Sequence, residues 1–254
     1  MIIRERQNSF IVIKQEDHAQ LSGRIAEGWK DKYIPADYKI NDVVTAVHHH
    51  DRAWRELDSA PFYNDQKQKP YSFIDFPVAV KLVHYKHGID IVQSENKYAA
   101  LLHSLHYCSL IGGRNENEQH FLQNETRRQK HLKSSLQLFH RENEEALKAH
   151  LHLLQLCDSL SLYVCMNEPG TEKVYRNNKD GFQNSDAFPF TMGKDITASW
   201  KNISELIMTP SPLEEPLDFI LPYKEITKEA LKTKGLFQAF TDGPLKEVPI
   251  SLLS

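Results

Sequence analysis

Val43 to Trp54, Val-Val-Thr-Ala-Val-His-His-His-Asp-Arg-Ala-Trp, is the stretch that decides how the chain folds. Its apolar residues recur at the i, i+3, i+4, i+7 spacing of a helix that buries one face. That face comprises Ile40, Val43, Val44, Val47, His50, Asp51 and Trp54. The apolar stripe therefore ends in an imidazole and a carboxylate, and burying either group without a partner costs about 2 kcal/mol or more. We expect other segments to supply partners for His50 and Asp51.

The composition is typical of a soluble globular protein without a nucleic-acid or membrane surface. The 254 residues are 40% hydrophobic and 26% charged, and 31 basic against 34 acidic side chains give a net charge of −3. No apolar run is long enough to span a membrane, and the N-terminus lacks the apolar region of a signal peptide. The three cysteines, Cys108, Cys157 and Cys165, are an odd number, and the last two share one helical pattern. We therefore expect a reduced, cytoplasmic protein.

Three further helical patterns each direct a polar side chain towards the interior. The first places His18 within its apolar stripe. The second, over residues 94–111, places His106 beside its stripe, and the longest, over residues 142–166, includes Asp158 in its apolar face. Taken singly, each of these residues is explained by a hydrogen bond to a local partner in the core.

Strand signals lie at the two ends of the chain. Residues 1–14 predict a hairpin, and residues 170–254 contain short apolar runs between prolines that predict short strands. The sequence predicts a single domain over residues 1–254, with a helical core at residues 15–166. We expect a mainly α-helical bundle with a small antiparallel sheet from the hairpin and the C-terminal strands, which is α+β overall.

A shared cation explains all of the inward polar side chains together. Imidazoles and carboxylates that converge on a divalent ion offset one another's cost of burial. Mixed nitrogen and oxygen ligands suit Mn, Fe, Co, Ni or Zn, and the absence of cysteine ligands disfavours a closed structural zinc site. Such an ion acidifies a bound water and polarises a phosphoryl oxygen, which is hydrolytic chemistry. The residues that we expect to converge are His18, His50, Asp51, His106 and Asp158.

The order of these residues resembles the HD-domain superfamily of metal-dependent phosphohydrolases. His18, then His50-Asp51, then the distant Asp158 are similar to the H…HD…D set that holds the cation in that helical bundle. A closer resemblance, to a bacterial family of uncharacterised proteins, covers nearly the whole chain. The segments that carry it are Asp17-His18, the His-His-Asp-x-x-Trp run from His49 to Trp54, Pro70-Tyr71-Ser72-Phe73, Leu102-His103-Ser104-Leu105-His106 and Asp158 to Tyr163.

The HD resemblance implies a role for individual side chains. The metal ligands that it implies are His18, His50, Asp51 and Asp158, and the catalytic residues are His49, Asp51 and His106. It makes His106 a further ligand, or a group that holds phosphate or water, and it makes His49 a group that faces the substrate. Arg52 is a candidate phosphate contact because of its proximity. The resemblance leaves undecided whether there is a second metal site, for which His103 or His84 would supply the additional histidine.

Three functions are compatible with this set of residues. The first is a hydrolase that cleaves a phosphate ester, in a nucleotide or another small phosphorylated metabolite, with a metal-activated water. The second is a di-iron oxygenase, since helical HD-type sites also host that chemistry. The third is a non-enzymatic binding or regulatory domain in which the polar set forms a buried hydrogen-bond network. We expect a small phosphorylated molecule as the partner, and neither a nucleic-acid polymer nor a membrane; the oligomeric state is left open.

Overall fold

Strands from both end regions of the chain join in a six-stranded sheet, which a layer of helices covers. The computed structural model describes residues 1–33, 39–171 and 181–254. In these residues the strands are β1 (Ile2–Glu5), β2 (Ser9–Ile13), β3 (Tyr63–Asn64), β4 (Lys69–Pro70), β5 (Thr197–Trp200), β6 (Glu205–Thr209), β7 (Leu217–Thr227) and β8 (Leu245–Leu253). The helices are α1 (Gln15–Glu27), α2 (Ile40–His49), α3 (Val78–Glu95), α4 (Lys97–Ser109), α5 (Glu116–Ser135), α6 (Arg141–Met166), α7 (Lys228–Lys234) and α8 (Leu236–Asp242).

The strand order across the large sheet is β1-β2-β7-β8-β6-β5, and β3 pairs separately with β4. Neighbouring strands of the large sheet are antiparallel except β6 and β8, which are parallel. The N-terminal hairpin joins the C-terminal strands through β7, with Phe10 opposite Ile226. β8 then connects β7 to β6, because Leu252 lies opposite Leu217 on one side and Leu206 on the other.

The predicted fold class, a mainly α-helical HD-like bundle with a small antiparallel sheet, is wrong. The sheet is a full layer of an α+β fold, since β7 runs for 11 residues and β8 for 9. The sequences Leu217 to Pro222 and Val248-Pro249-Ile250 predict two short strands, but each is part of a longer strand that continues through its proline in register. A proline removes one backbone donor, and the neighbouring ladder bonds keep the strand paired. Phe188-Pro189-Phe190 is one of the apolar runs in residues 170–254 for which the sequence predicts a strand, and this prediction is wrong because a 3₁₀ turn spans Pro189–Thr191.

The strand β2 is buried on both faces, which explains its unbroken apolar sequence. All 5 of its residues are buried, as in strands that are covered on both sides. Ile11 lies in the main hydrophobic core together with Leu21 of α1. Val12 packs on the opposite side in a second, smaller cluster with Phe240 of α8. The hairpin is therefore held between the helical layer and the two short C-terminal helices.

Four helices surround one buried region above the sheet. α1 packs against β7, α2 and α6, and α4 contacts both α2 and α6. α1 approaches α2 closely at Gly23, where a Cβ would lie 2.1 Å from His48 Nδ1. None of the helices in the described ranges is both long and apolar enough to cross a membrane.

We expect Gly88→Ala to lower the free energy of unfolding by about 1–3 kcal/mol. A Cβ on Gly88, in the middle of α3, would lie 2.7 Å from the backbone N and Cα of Ala53. Backbone cannot move aside as a side chain can, so this clash outweighs the roughly 1 kcal/mol that alanine gains over glycine in a helix. Denaturant unfolding measures the change.

Gly23→Ala is the matched control for this substitution. The atoms nearest to its new Cβ belong to the imidazole of His48, which is partly exposed and can rotate away. We expect a smaller loss of stability than for Gly88→Ala. Equal losses in the two variants would show that backbone contact at Ala53 does not govern the effect.

Candidate metal centre

His18 and Gln15 project from the first turns of α1 towards the space between the four helices. His18 is fully buried, and Gln15 is 2% exposed. The backbone N–H of Gln15, the first helical residue, donates to the carboxylate of Asp58. Asp58 also pairs with the α-ammonium group of Met1 at 2.7 Å. The start of α1 is therefore fixed by a buried charge pair.

His50 and Asp51 lie immediately after α2 and not within it, which corrects the sequence prediction. α2 ends at His49, and Asp51 has φ −102° and ψ 21°, outside the helical region. Both the backbone N–H and the ring Nδ1 of His50 bond to the carbonyl of Val47, at 3.5 and 2.8 Å. This turn still directs both side chains inward, because His50 is 1% and Asp51 7% exposed.

The predicted side chains from three separate segments meet in the interior. His18 Nε2 and His50 Nε2 are 3.1 Å apart. Asp158 Oδ1, from α6, lies 3.1 Å from the former and 3.5 Å from the latter. Asp51 Oδ2 lies 3.7 and 3.8 Å from the same two nitrogens. Two imidazole nitrogens and two carboxylates thus form one cluster, which we call the His/Asp cluster (His18, His50, Asp51, Asp158).

His106 lies at the border of the His/Asp cluster. Its Nε2 is 3.6 Å from Asp158 Oδ2, and its ring stands edge-on to that of His50, with 5.8 Å between centroids. It is 3% exposed, and its Nδ1 is buried without a hydrogen-bond partner in the described structure. A buried ring nitrogen without a partner is costly, so a ligand or water at His106 would stabilise the site.

Hydrogen bonds around the His/Asp cluster orient its members. Because a carbonyl oxygen only accepts, the bond from His50 Nδ1 to Val47 places a proton on Nδ1, so Nε2 faces the cluster and offers a lone pair whenever the ring is neutral. Ser161 Oγ lies 2.6 Å from His18 Nδ1 and holds this ring with its Nε2 towards the cluster. Gln15 Nε2 donates to Asp51 Oδ2 at 2.9 Å. Outer contacts of this kind orient metal ligands in known metal sites.

Burial and charge shift the pKa values of the cluster in opposite directions. Burial alone would lower the pKa of His50, but the charges of Asp51 and Asp158 outweigh it and raise that pKa to about 9. Burial raises the pKa of Asp51. Burial also acts to raise the pKa of Asp158, but hydrogen bonds from His18 and His50 lower it well below its usual value. Burial lowers the pKa of His106 to about 4. Without a cation, the cluster therefore holds a proton.

We expect the free energy of unfolding of the metal-free protein to fall as the pH rises from 7 to 8.5. The folded state keeps a proton on His50 up to a pKa of about 9, whereas the unfolded state loses it near 6.5. The stabilisation is therefore complete below pH 6.5 and is lost as the pH approaches 9, at about 1 kcal/mol per pH unit. Chemical unfolding with a chelator present measures this slope.

The control for this pH dependence is His50→Asn, which removes the titrating group. Its slope should be smaller than that of wild type by about 1 kcal/mol per pH unit over the same range. Burial also raises the pKa of Cys108, Cys157 and Cys165, which adds a slope of the same sign above about pH 8, and this contribution is common to both proteins. A wild-type slope that persists in His50→Asn would contradict the assignment to His50.

The other histidines named by the sequence do not join the cluster. His49 is half buried at the end of α2, and no hydrogen bond or ion pair in the described residues connects it to the cluster, so its catalytic role stays a prediction. His48 bonds to Gln20 and Glu27 on α1. His103 is fully buried and its Nε2 bonds to the carbonyl of Ala46, whereas its Nδ1 has no partner in the described structure.

Sequence reasoning missed Gln15 and Ser161, both of which contact the cluster. Gln15 precedes His18 by three residues on α1, and Ser161 follows Asp158 by three on α6. The i, i+3 spacing places each beside a predicted ligand on the same helix face. That spacing was the available signal, but glutamine and serine at such positions are most often ordinary polar residues.

A cleft opens beside the cluster, between the end of α4 and the middle of α6. Its volume is about 310 Å³. The described residues that line it are His106, Ser109, Leu110, His152, Gln155, Leu156, Asp158, Ser159, Gln183 and Asn184. Asp158 is 15% exposed, more than the other three members of the cluster. The cluster is therefore reached from the side of Asp158 and His106.

Comparison with known proteins identifies a family for this chain. The sequence profile of that family matches residues 1–228, which include all four members of the His/Asp cluster and His106. Searches of curated proteins and of solved structures found no match. The comparison does not confirm the HD-domain resemblance. Because the match extends over far more than half of the sequence, the chain belongs to the family described as protein of unknown function (DUF3891).

Proposed function

We propose that the protein is a metal-dependent hydrolase that cleaves a phosphate ester of a small molecule. The observation that carries this proposal is the meeting of two imidazole nitrogens and two carboxylates inside the helical layer. Three of these residues, His18, His50 and Asp51, offer ligand atoms that all lie within 4.8 Å of one another. Two carboxylates and two neutral imidazoles carry a charge of −2, which a divalent cation balances.

The spacing of the donor atoms fits a single ion. Ligand atoms bound at about 2.1 Å to one tetrahedral or octahedral ion are about 3.0–3.4 Å apart. The contacts among His18, His50 and Asp158 are 3.1, 3.1 and 3.5 Å. Asp51 is 3.7 and 3.8 Å from the two imidazoles, so a shift of a few tenths of an ångström brings it into the same range. Nitrogen and oxygen donors without cysteine favour Mn, Fe, Co, Ni or Zn.

Hydrolysis needs an open coordination position on the ion and a group that interacts with the bound water. A divalent ion in this set would lower the pKa of a bound water and polarise a phosphoryl oxygen. Asp158 uses Oδ1 towards the imidazoles and has Oδ2 near His106, so its carboxylate faces both the cluster and the cleft. His106, whose pKa burial lowers to about 4, is neutral at pH 7 and can accept a hydrogen bond from a bound water.

A buried network without a metal is the competing explanation. It is favoured by the bond from Gln15 to Asp51 and by the contact of His18 with Asp158, which satisfy part of the cluster without an ion. In that case the protein would be a binding or regulatory domain. Metal content separates the two explanations, because a network already satisfied by protons gains nothing from a divalent ion.

The test is metal analysis followed by a substrate screen. Protein purified without a histidine tag is analysed for bound metal, and p-nitrophenyl phosphate and nucleoside monophosphates are then offered with Mn²⁺, Fe²⁺ or Zn²⁺. We expect stoichiometric metal and turnover that a chelator abolishes. A protein that neither retains nor takes up a divalent metal would falsify the proposal. Metal without any phosphate release would reject the hydrolytic part alone.

A further inference from the structure

The cleft beside Asp158 and His106 has walls rich in amides and hydroxyls. Gln155, Gln183 and Asn184 contribute amides, and Ser109 and Ser159 contribute hydroxyls. The Ser109 and Ser159 hydroxyls donate to the carbonyls of His106 and Gln155, so towards a ligand they act as acceptors. An amide both donates and accepts, and this combination matches the hydroxyl groups of a ligand. The described lining contains no lysine or arginine. Within these residues, the cleft therefore offers hydrogen bonds and little positive charge.

We propose that this cleft binds the hydroxyl-bearing part of a sugar phosphate. This inference rests on the proposed hydrolase function, since the phosphoryl group would lie at the His/Asp cluster and the sugar in the cleft. The cleft and the cluster are continuous because Asp158 and His106 belong to both. Its volume of about 310 Å³ is at the lower end for small-molecule sites, which suits one compact ligand.

A hydrogen bond between α6 and the end of α4 orients Gln155. Its Nε2 donates to Ser109 Oγ at 3.1 Å, which connects α6 to the end of α4. No hydrogen bond to Gln155 Oε1 is found among the described residues, so this oxygen is available to accept from a ligand hydroxyl. Ser159, one turn along the same helix, also lines the cleft. The α6 wall is therefore a rigid surface that presents hydrogen-bonding groups at helical spacing.

The opposite wall is held in place before any ligand arrives. Phe182 is 2% exposed, and its backbone N–H donates to the carbonyl of Ile196 at 2.8 Å. Ser185 is 1% exposed, and its hydroxyl accepts from the Ile196 N–H at 2.7 Å. The exposed residues Gln183 and Asn184 lie between these two anchors. A wall ordered in advance loses little conformational entropy on binding, which favours a specific site.

His106 provides an independent indication of a ligand. It lines the cleft, it is 3% exposed, and its Nδ1 has no hydrogen-bond partner in the described structure. A buried polar atom without a partner normally has one supplied by water or a ligand. A residue of the cleft therefore has an unsatisfied buried nitrogen, and amides and hydroxyls make up much of the remaining lining.

The test compares Gln155→Met with wild type on glucose 6-phosphate, p-nitrophenyl phosphate and a nucleoside monophosphate. Methionine keeps the length of the side chain and removes both hydrogen-bonding atoms. We expect kcat/KM for glucose 6-phosphate to fall about tenfold, the effect of one lost hydrogen bond, and kcat/KM for p-nitrophenyl phosphate to stay within about twofold. Gln119→Met on α5 is the matched control and should change neither value, because the Gln119 side chain donates to the Gly113 carbonyl, away from the cleft. A nucleoside monophosphate is the third substrate: whichever of the two sugar-bearing phosphates has the higher kcat/KM identifies the source of the sugar.

A binding measurement separates failure of this inference from failure of the hydrolase proposal. Saturation-transfer NMR of the metal-free protein with glucose 6-phosphate should show contacts to the sugar protons, weakened in Gln155→Met and retained in Gln119→Met. Absence of turnover in wild type, with these contacts retained, rejects the hydrolase and leaves the sugar site. An equal loss for glucose 6-phosphate and p-nitrophenyl phosphate, or no loss for either, overturns the sugar site while the hydrolase stands.

Discussion

Asp51→Asn is expected to lose its divalent metal while the protein stays folded. Asparagine preserves the size of the side chain and can still accept the hydrogen bond from Gln15, but it removes one of the two negative charges that balance the ion. Loss of an outer contact alone weakens metal binding by about 10–100-fold, so loss of a ligand charge should exceed about 100-fold. Metal analysis and titration with Zn²⁺ or Mn²⁺ measure the change.

The stability of this variant is a second measurement. Burial acts to lower the pKa of His50, but the charges of Asp51 and Asp158 raise it to about 9, so removal of the Asp51 charge should bring this pKa down. With a chelator present, the free energy of unfolding of Asp51→Asn should therefore fall less between pH 7 and 8.5 than that of wild type. With metal, only wild type should show a higher Tm, because an ion that binds the folded state stabilises it.

Glu125→Gln is the control for removing a buried carboxylate elsewhere. Glu125 is 1% exposed on α5 and pairs with Arg128 and Ser104, away from the His/Asp cluster. It should lose stability but keep its metal content. If Asp51→Asn retained wild-type metal affinity, the metal centre would have to be abandoned.

Asp158→Asn is expected to reduce phosphate-ester turnover at least about 10³-fold. Its carboxylate contacts both imidazoles of the cluster through Oδ1, lies near His106 through Oδ2 and forms part of the cleft. Removing its charge affects the ion, the orientation of His18 and the approach of substrate together. Steady-state rates, with metal content measured on the same sample, report the effect.

Two companion variants separate chemistry from folding. Asp158→Glu keeps the charge and displaces it by one methylene, so turnover should fall about 100-fold while the metal remains. Glu144→Gln removes an exposed carboxylate of the same helix, paired with Lys133, and should leave turnover unchanged. Similar rates in Asp158→Asn and Glu144→Gln would exclude Asp158 from the reaction.

The residues of the cluster could be predicted from the sequence because helical periodicity indicates which side chains are buried. His18 and Asp158 each interrupt an apolar face, and His50-Asp51 end one, so their inward direction could be predicted. Periodicity does not report where a helix ends: the Val47 carbonyl is taken up by His50, and α2 stops one residue before it. The direction of His50 and Asp51 was right although the secondary structure was wrong.

The extent and strand order of the sheet could not be predicted from the sequence in the same way. The pairing of β7 with β8 joins Leu217 to Leu252, and such a register depends on a distant partner strand and leaves little local signal. Gln15 and Ser161 were missed for a related reason, since their importance comes from contacts made across the fold to Asp51 and His18. Local patterns predicted which side chains turn inward, and tertiary contacts decided the rest.

The helix α6 carries Asp158 and Ser161 on one side of the cluster and Gln155 and Ser159 on the wall of the cleft. The cluster and the cleft therefore share one helix, and an ion in the first and a ligand in the second would both contact it. If a bound ion changes the affinity for an organic ligand by some factor, thermodynamic linkage requires the ligand to change the affinity for the ion by the same factor. A ligand that binds too weakly to be detected by itself would then be detected through a slower dissociation of the ion in its presence.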